Sequence, residues 1–303
     1  MQRQIVFGEF DGKIRVYFPR KELFLQLNTP LSKAFKKFYV DANTKVPLSA
    51  VKRFLKKWRE CTGIQLTFDQ NFFELADYYS VFSSVRASAR EQAEILLPYL
   101  KENNSKKILD VGCGQGELLD ELNELGFDAE GIDQSGIMVS KVKNIRKAEP
   151  VDFLFFGTDE KYDSIVMIWN VLLYFKSSEI KKVFKKANSL LNNGGQLIIE
   201  YRNLSRQNFS PTYSMARKSG DHEVLYMNKN RLTSKKLISS TKSIVKSSGK
   251  IVKKVNHVPV ELAQFPLEFI SARAKEAGFY FKSNDVVGFY KNSSPSILCV
   301  LKK

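Results

Sequence analysis

Reactive side chains are scarce in this chain: two histidines and three cysteines among 303 residues. Cys61, Cys113 and Cys299 lie far apart with no C-x-x-C pair, and His222 and His257 stand alone. That spacing argues against both a disulfide framework and a zinc site, so no metal is expected. Long apolar runs are missing too. Nowhere do eighteen apolar residues stand together, and the opening "MQRQIVFGEFDGKIRVYF" is interrupted by charge throughout. Neither a membrane span nor a secretory leader is expected, and the reading is of a cytoplasmic protein. Acidic side chains are the third shortage, 32 against 48 Lys and Arg, for a net charge of +16.

That charge is uneven. Residues 1–70 hold 14 basic and 6 acidic side chains, residues 71–200 hold 15 and 20, and residues 201–303 hold 19 and 6. A basic core is thereby excluded, and two basic flanks are left. They would concentrate anionic partners such as RNA, a phosphorylated metabolite or acidic lipid, or would simply solvate the surface. With 43% hydrophobic and 26% charged residues, the chain can bury one large core or two modest ones.

The middle of the chain alternates β-like apolar runs with helical patterns, which predicts an α/β fold with a parallel sheet covered by helices. "KKILDVG", "DAEGID", "VDFLFF", "YDSIVMIW" and "QLIIEY" are the five expected strands. Helices are expected over "GELLDELNELG", "GIMVSKVKNIRKA" and "SSEIKKVFKKANSLL", with a turn at "NNGG". A helix near "PLEFISARAKEAG" and strands in "FYFKSNDVVGFY" and "SILCVLKK" follow. Ahead of this core, Asp11-Gly12 predicts a hairpin over residues 5–18. Two basic amphipathic helices follow, one with Phe35 and Phe38, the other with Phe54 and Trp58. The Lys- and Ser-rich stretch 231–255 reads as solvated strands turning at Ser248-Gly249.

The chemistry concentrates in "DVGCGQGE", residues 110–117, between the first strand and its helix. Glycines there let backbone approach a nucleotide-like ligand at the carboxyl end of a strand. A dinucleotide loop would read G-x-G-x-x-G and bring pyrophosphate onto the helix N-terminus. Here Gly112, Gly114 and Gly116 are spaced G-x-G-x-G, with Asp110 before them and Glu117 after, and carboxylates would repel pyrophosphate. They suit a cationic ligand carrying a sulfonium and an α-amino group. Asp133 lies 21 residues after Gly112, at the end of the second strand, where a carboxylate can accept two ribose hydroxyls. The plainer readings are that Asp110 and Asp163 cap turns, that Tyr78 and Tyr79 are core aromatics, and that Gly194-Gly195 ends a helix.

"ILDVGCGQGELL", "GID" and "LLNNGGQLII" resemble the class I S-adenosylmethionine-dependent methyltransferases, over roughly residues 71–303. The resemblance implies a Rossmann-like seven-stranded sheet with flanking helices and a late antiparallel strand. Residues 1–70 would be an accessory segment, and residues 203–260 an insertion after the fifth strand, roofing the acceptor pocket. "FFELADYYSVF", "IWNVLLYF" and "EYRN" are similar to members that methylate small molecules. Carried over, the pattern gives Asp110 and the Gly112, Gly114 and Gly116 backbones to the methionine part of S-adenosylmethionine, Asp133 to the ribose and Gln134 to the adenine border. Asn170, with Trp169, would lie beneath the transferable methyl group and face the acceptor. Tyr79 and Arg86 would meet the methionine end from a lid helix. The segment "FLFFGTDEKYD" is shorter than the family's, which leaves the adenine contacts near Thr158 and Asp159 open.

Methyl transfer needs positioning first. If the acceptor must lose a proton, His222 is the candidate base, with His257, Tyr213 and Glu261 behind it. A small and anionic acceptor is the leading expectation. An RNA or protein acceptor using the basic flanks is the alternative, and a binding protein without turnover the outside one. A dehydrogenase is disfavoured by the glycine spacing.

Overall fold

The structure is a computed structural model and describes residues 6–10, 13–18, 23–27, 33, 35, 56, 89–139, 141–143, 147–202, 212–219, 221–233, 236–256, 260–287 and 296–303. The hairpin read at Asp11-Gly12 forms from β1 (Val6–Phe10) and β2 (Lys13–Phe18), whose register pairs Phe10 with Lys13 and leaves a two-residue connection. β3 (Leu23–Gln26) adds a third antiparallel strand. Phe35 is fully buried and Lys33 and Lys56 are exposed, while the rest of the two basic helical patterns lies outside the described residues.

The central sheet grows from the expected alternation. α1 (Ala89–Glu102) leads into β4 (Lys107–Val111), α2 (Glu117–Glu124), β5 (Asp128–Asp133), α3 (Gly136–Val139) and β6 (Ala148–Pro150). β7 (Tyr162–Met167), a 3-10 turn at Val171–Tyr174, α4 (Ile180–Leu190) and β8 (Leu191–Tyr201) complete the parallel part. Seven strands order as β14-β15-β8-β7-β4-β5-β6, where β14 is Tyr280–Val287 and β15 is Ser296–Lys302. β15 runs antiparallel to both its neighbours, β8 and β14. The chain steps outward from β4 in one direction to β6, then returns to the other side of β4 as β7. Parallel order therefore reverses at the carboxyl ends of β4 and β7, the place where open α/β sheets hold ligands.

Both faces are covered. α1 and α2 bury Leu96, Leu100, Leu119 and Leu122 against Ile108 and Ile198 on one side. On the other, α4 and α5 (Leu267–Glu276) bury Val183, Phe184 and Ile270 against Leu109, Ile165 and Ile199. Pro266 stands at the N-cap of α5, one place ahead of the expected first turn.

Two expectations fail. "VDFLFF" is not the third strand: β6 is the three residues just before it, and residues 151–161 cross to β7 without a helix. Val151, Phe153 and Phe156 turn inward and cover the sheet face that a crossover helix would otherwise cover. The expected helix from Gly136 is four residues long. The turn at "NNGG" becomes an excursion inside β8: the pairing with β7 steps from Tyr162–Leu191 to Ser164–Gln196, and Gly194 takes φ 75°.

The basic stretch forms a five-stranded antiparallel sheet from β9 (Thr212–Ser219), β10 (His222–Leu232), β11 (Lys236–Ser247), β12 (Lys250–Asn256) and β13 (Val260–Ala263). Ser248 and Gly249 turn β11 into β12 with φ 47° and 77°, the two positive angles of a type I′ hairpin. β13 joins this sheet to the core, packing Leu262 and Ala263 beside Leu172 and Leu173.

Candidate functional site

β4 ends at Val111 and the chain must turn sharply to begin α2. Gly112, Gly114 and Gly116 take φ 79°, 58° and 82°, left-handed angles that side-chain-bearing residues rarely adopt. Space sets a second requirement. A Cβ on Gly112 would lie 2.5 Å from Val171 Cγ2, and one on Gly116 would lie 2.9 Å from Val142 Cγ1. The loop is therefore pressed against the turn that follows β7. Gly131, in the middle of β5, answers the same need: a Cβ there would meet Cys113 Sγ at 2.7 Å. The sequence reading quoted that glycine within "GID" but gave it no role.

Two carboxylates frame the loop. Asp133 Oδ2 accepts from the Gly114 amide at 3.0 Å and Oδ1 from the Ser135 amide at 2.7 Å. Asp110 is 2% exposed at the end of β4, where burial first and the Asp133 charge second push its carboxyl up to about 7. A neighbouring cation would reverse that shift. The Cys113 thiol is pushed well above its usual range by burial and the same two carboxylates, so it is no nucleophile. Gln134 follows Asp133, half-buried.

The turn after β7 is strained. Trp169 and Asn170 have φ 62° and 63°, consecutive left-handed angles without a glycine. Each such residue costs roughly 1–3 kcal/mol unless its surroundings hold it. The Asn170 amide donates to Glu200 Oε2 at 3.1 Å, and Asn170 Oδ1 accepts from the Arg202 amide at 2.8 Å. The Trp169 indole donates to Gln92 Oε1 on α1 at 2.8 Å. Glu200 is fully buried; burial pushes its carboxyl up, against the Ser296 hydroxyl and the Asn170 and Trp169 amides, which hold it down. The sequence reading missed Glu200, although a carboxylate inside the apolar run "LIIEY" was a visible signal.

The structure thus brings together Asp110, Gly112, Gly114, Gly116, Asp133, Gln134 and Asn170. Tyr79, Arg86 and His257 lie outside the described residues, as does the side chain of His222. His222 opens β10, paired with Ser247, whereas β13 meets the core beside Leu237, which pairs with Leu232 at the other end of β10. Those ends are about 34 Å apart along an extended strand. Asp163 takes its plainer role, accepting from the Lys106 and Lys107 amides, both at 2.9 Å. Asp152, two residues past β6, is a half-buried acid unnoticed beside Thr158 and Asp159; its Oδ1 accepts from the Leu154 amide at 2.8 Å. Among the described residues no cluster of His, Cys, Asp and Glu could hold a metal, and no helix is long and apolar enough to cross a membrane.

A doubly wound seven-stranded sheet, antiparallel at its late strand and with a three-glycine loop after its first, defines the Rossmann-like methyltransferase class. A family profile described as "Methyltransferase domain" matches residues 85–239, half of the chain, and the chain belongs to that family. Among curated proteins it is 31% identical over 104 residues to a Geobacillus sp. (strain WCH70) protein with a provisional methyltransferase name, covering 32% of this chain and 42% of that one. It is 29% identical over 115 residues to a tRNA U34 carboxymethyltransferase of Shewanella woodyi, covering 35% and 34%. The chain spans less than half the length of these relatives. A solved S-adenosylmethionine-dependent methyltransferase from Clostridium acetobutylicum shares the fold at TM-score 0.64 and 18% identity, covering 77% of this chain and 99% of that one. The amino pentose methyltransferase CalS10 of Micromonospora echinaspora does so at 0.63 and 16%, covering 75% and 96%.

Proposed function

We propose that this protein transfers a methyl group from S-adenosylmethionine to a small, anionic acceptor. The observation that carries the proposal is the glycine loop between two carboxylates, Asp110 beneath it and Asp133 beside it. S-adenosylmethionine supplies an activated methyl on a sulfonium, and the protein's task is to hold donor and acceptor in line. Backbone at Gly112, Gly114 and Gly116 lies against the methionine part, and Asp110 offers a buried negative charge to its cationic groups. Asp133, at the end of β5 beside the glycine loop, accepts from the ribose hydroxyls. Gln134 borders the adenine, and Asp152 is the acid on that side. Asn170 and Trp169 form the floor under the methyl, with Tyr79 and Arg86 closing the methionine end. Alignment of this kind supplies roughly 7–11 kcal/mol of the barrier, so no nucleophile in the protein is required. A base role for His222 depends on the distal tip of the β10 sheet reaching the acceptor.

One observation favours a polymeric acceptor instead. Arg231 and Lys229 on β10, Lys242 on β11 and Lys254 on β12 are all exposed and share the outer face of the insertion sheet. The register makes each the neighbour of the next, along one strand or on the diagonal, so they form a stripe stepping about 7 Å at a time. The opposite face is the buried one, with Val224, Ser243 and Val245. Two other cations of the sheet are paired, Lys236 with Glu261 at 2.7 Å and Lys246 with Glu223 at 3.3 Å.

Calorimetry tests the cofactor. S-adenosylmethionine and S-adenosylhomocysteine are expected to bind at micromolar strength and NAD not at all; tight NAD binding without a response to S-adenosylhomocysteine sinks the proposal. Labelled S-adenosylmethionine offered with metabolite and RNA pools then identifies the acceptor.

A further inference from the structure

We infer that Glu200 is a positioning residue whose buried carboxylate holds Trp169 and Asn170 in their left-handed turn, fixing the floor of the methyl-transfer site against the glycine loop. The inference rests on the proposed cofactor site. A carboxylate at 0% exposure in the middle of an apolar sheet is a poor choice for stability alone, since an apolar residue of similar volume usually serves a core at least as well. Its placement has a local explanation. Successive backbone amides exposed at a turn form a concavity that accepts an anion. The Glu200 carboxylate lies at this turn, its Oε2 accepting from the Asn170 amide at 3.1 Å.

The other contacts carry this hold outward. Arg202, two residues beyond Glu200, fixes Asn170 Oδ1 through its amide, and Gln92 fixes the Trp169 ring. Val171, next along the chain, occupies the space a Gly112 side chain would need. Releasing the turn therefore moves Val171 off the glycine loop and changes both the floor and the cofactor cradle.

Trp169 reports on this directly, because Trp58 is the only other tryptophan. In a Trp58→Phe background, Trp169 emission and calorimetric binding of S-adenosylhomocysteine are measured for the parent, Glu200→Gln and Glu200→Leu. Both substitutions are expected to shift Trp169 emission in the ligand-free protein and to weaken S-adenosylhomocysteine by about tenfold, the size of losing a hydrogen bond to a charged group. Glu200→Leu is expected to keep its melting temperature within a few degrees, which a purely structural carboxylate would not. Asn170→Gly added to Glu200→Gln should return the emission towards the parent's, since glycine adopts the positive angle unaided. Unchanged emission and affinity in both variants overturn the inference. An emission shift in a parent that ignores S-adenosylhomocysteine leaves the brace standing as geometry and overturns the cofactor site, and with it the positioning role.

Discussion

At the scale of single residues, the site is held by groups that a stability optimum would not choose. Asp110 shows this most clearly. Its folded value near 7 lies above the ordinary 3.8, so between those pH values the folded protein keeps a proton that the unfolded chain has released. Stability therefore falls as pH rises from about 4 to about 7, and the loss is complete above that. Asp110→Asn is expected to melt higher than the parent at pH 8, by roughly 1–4 kcal/mol in stability, with the gap closing toward pH 5. The same variant should bind S-adenosylmethionine at least about tenfold more weakly. A variant no more stable at pH 8 than at pH 5, relative to the parent, would show that Asp110 is charged without penalty. Asp133→Ala should also lose at least about tenfold in cofactor affinity, because it removes ribose acceptors and frees the Gly114 and Ser135 amides together. Calorimetry on the folded variant is the check. Asp133 and the glycines were legible because a loop leaving a strand has few chemical solutions. The positive φ of Trp169 was not, and Glu200 showed only as a carboxylate in an apolar run, because its partner depends on which strand ends meet in space.

Among elements, the sequence reading succeeded where periodicity or turn chemistry was strong and failed where neither was. β5 was read at its full extent, and the Ser248-Gly249 turn at its residues, since few dipeptides take two positive angles. "VDFLFF" misled because a continuous apolar run does not distinguish a buried strand from a buried turn. Here Asp152 caps the backbone through the Leu154 amide, so the run folds back after β6. The Ser248-Gly249 turn offers a test of how firmly the insertion sheet is built. Ser248→Asn, better suited to the left-handed angle, is expected to stabilise by a few tenths of a kcal/mol, and Gly249→Val to destabilise by about 1–2 kcal/mol. Hydrogen exchange of β11 and β12 amides would register both, and equal protection in the two variants would mean that the hairpin is held from elsewhere.

For the molecule as a whole, charge separates the two acceptor readings. A single-stranded RNA lying along Arg231, Lys229, Lys242 and Lys254 would release counterions, and log affinity should fall with log salt at a slope of about −0.7 for each phosphate contact. Binding of a labelled oligouridine that loses about this slope for each of the four replaced by Ser supports a polymeric acceptor. Negligible binding, or a slope indifferent to those substitutions, leaves the stripe as a solvated face and the small anionic acceptor as the reading. The contact between Val171 and Gly112 has a further consequence for turnover. If the glycine loop cradles the donor and Trp169 with Asn170 floors the acceptor, as proposed, the two meet at this junction, and any change that occupancy of one makes in the other's affinity is returned by the same factor. Methylated product leaving the floor would then loosen the spent donor. Whichever product leaves first, the other should then be held more weakly, a coupling carried by a valine that lies against a glycine.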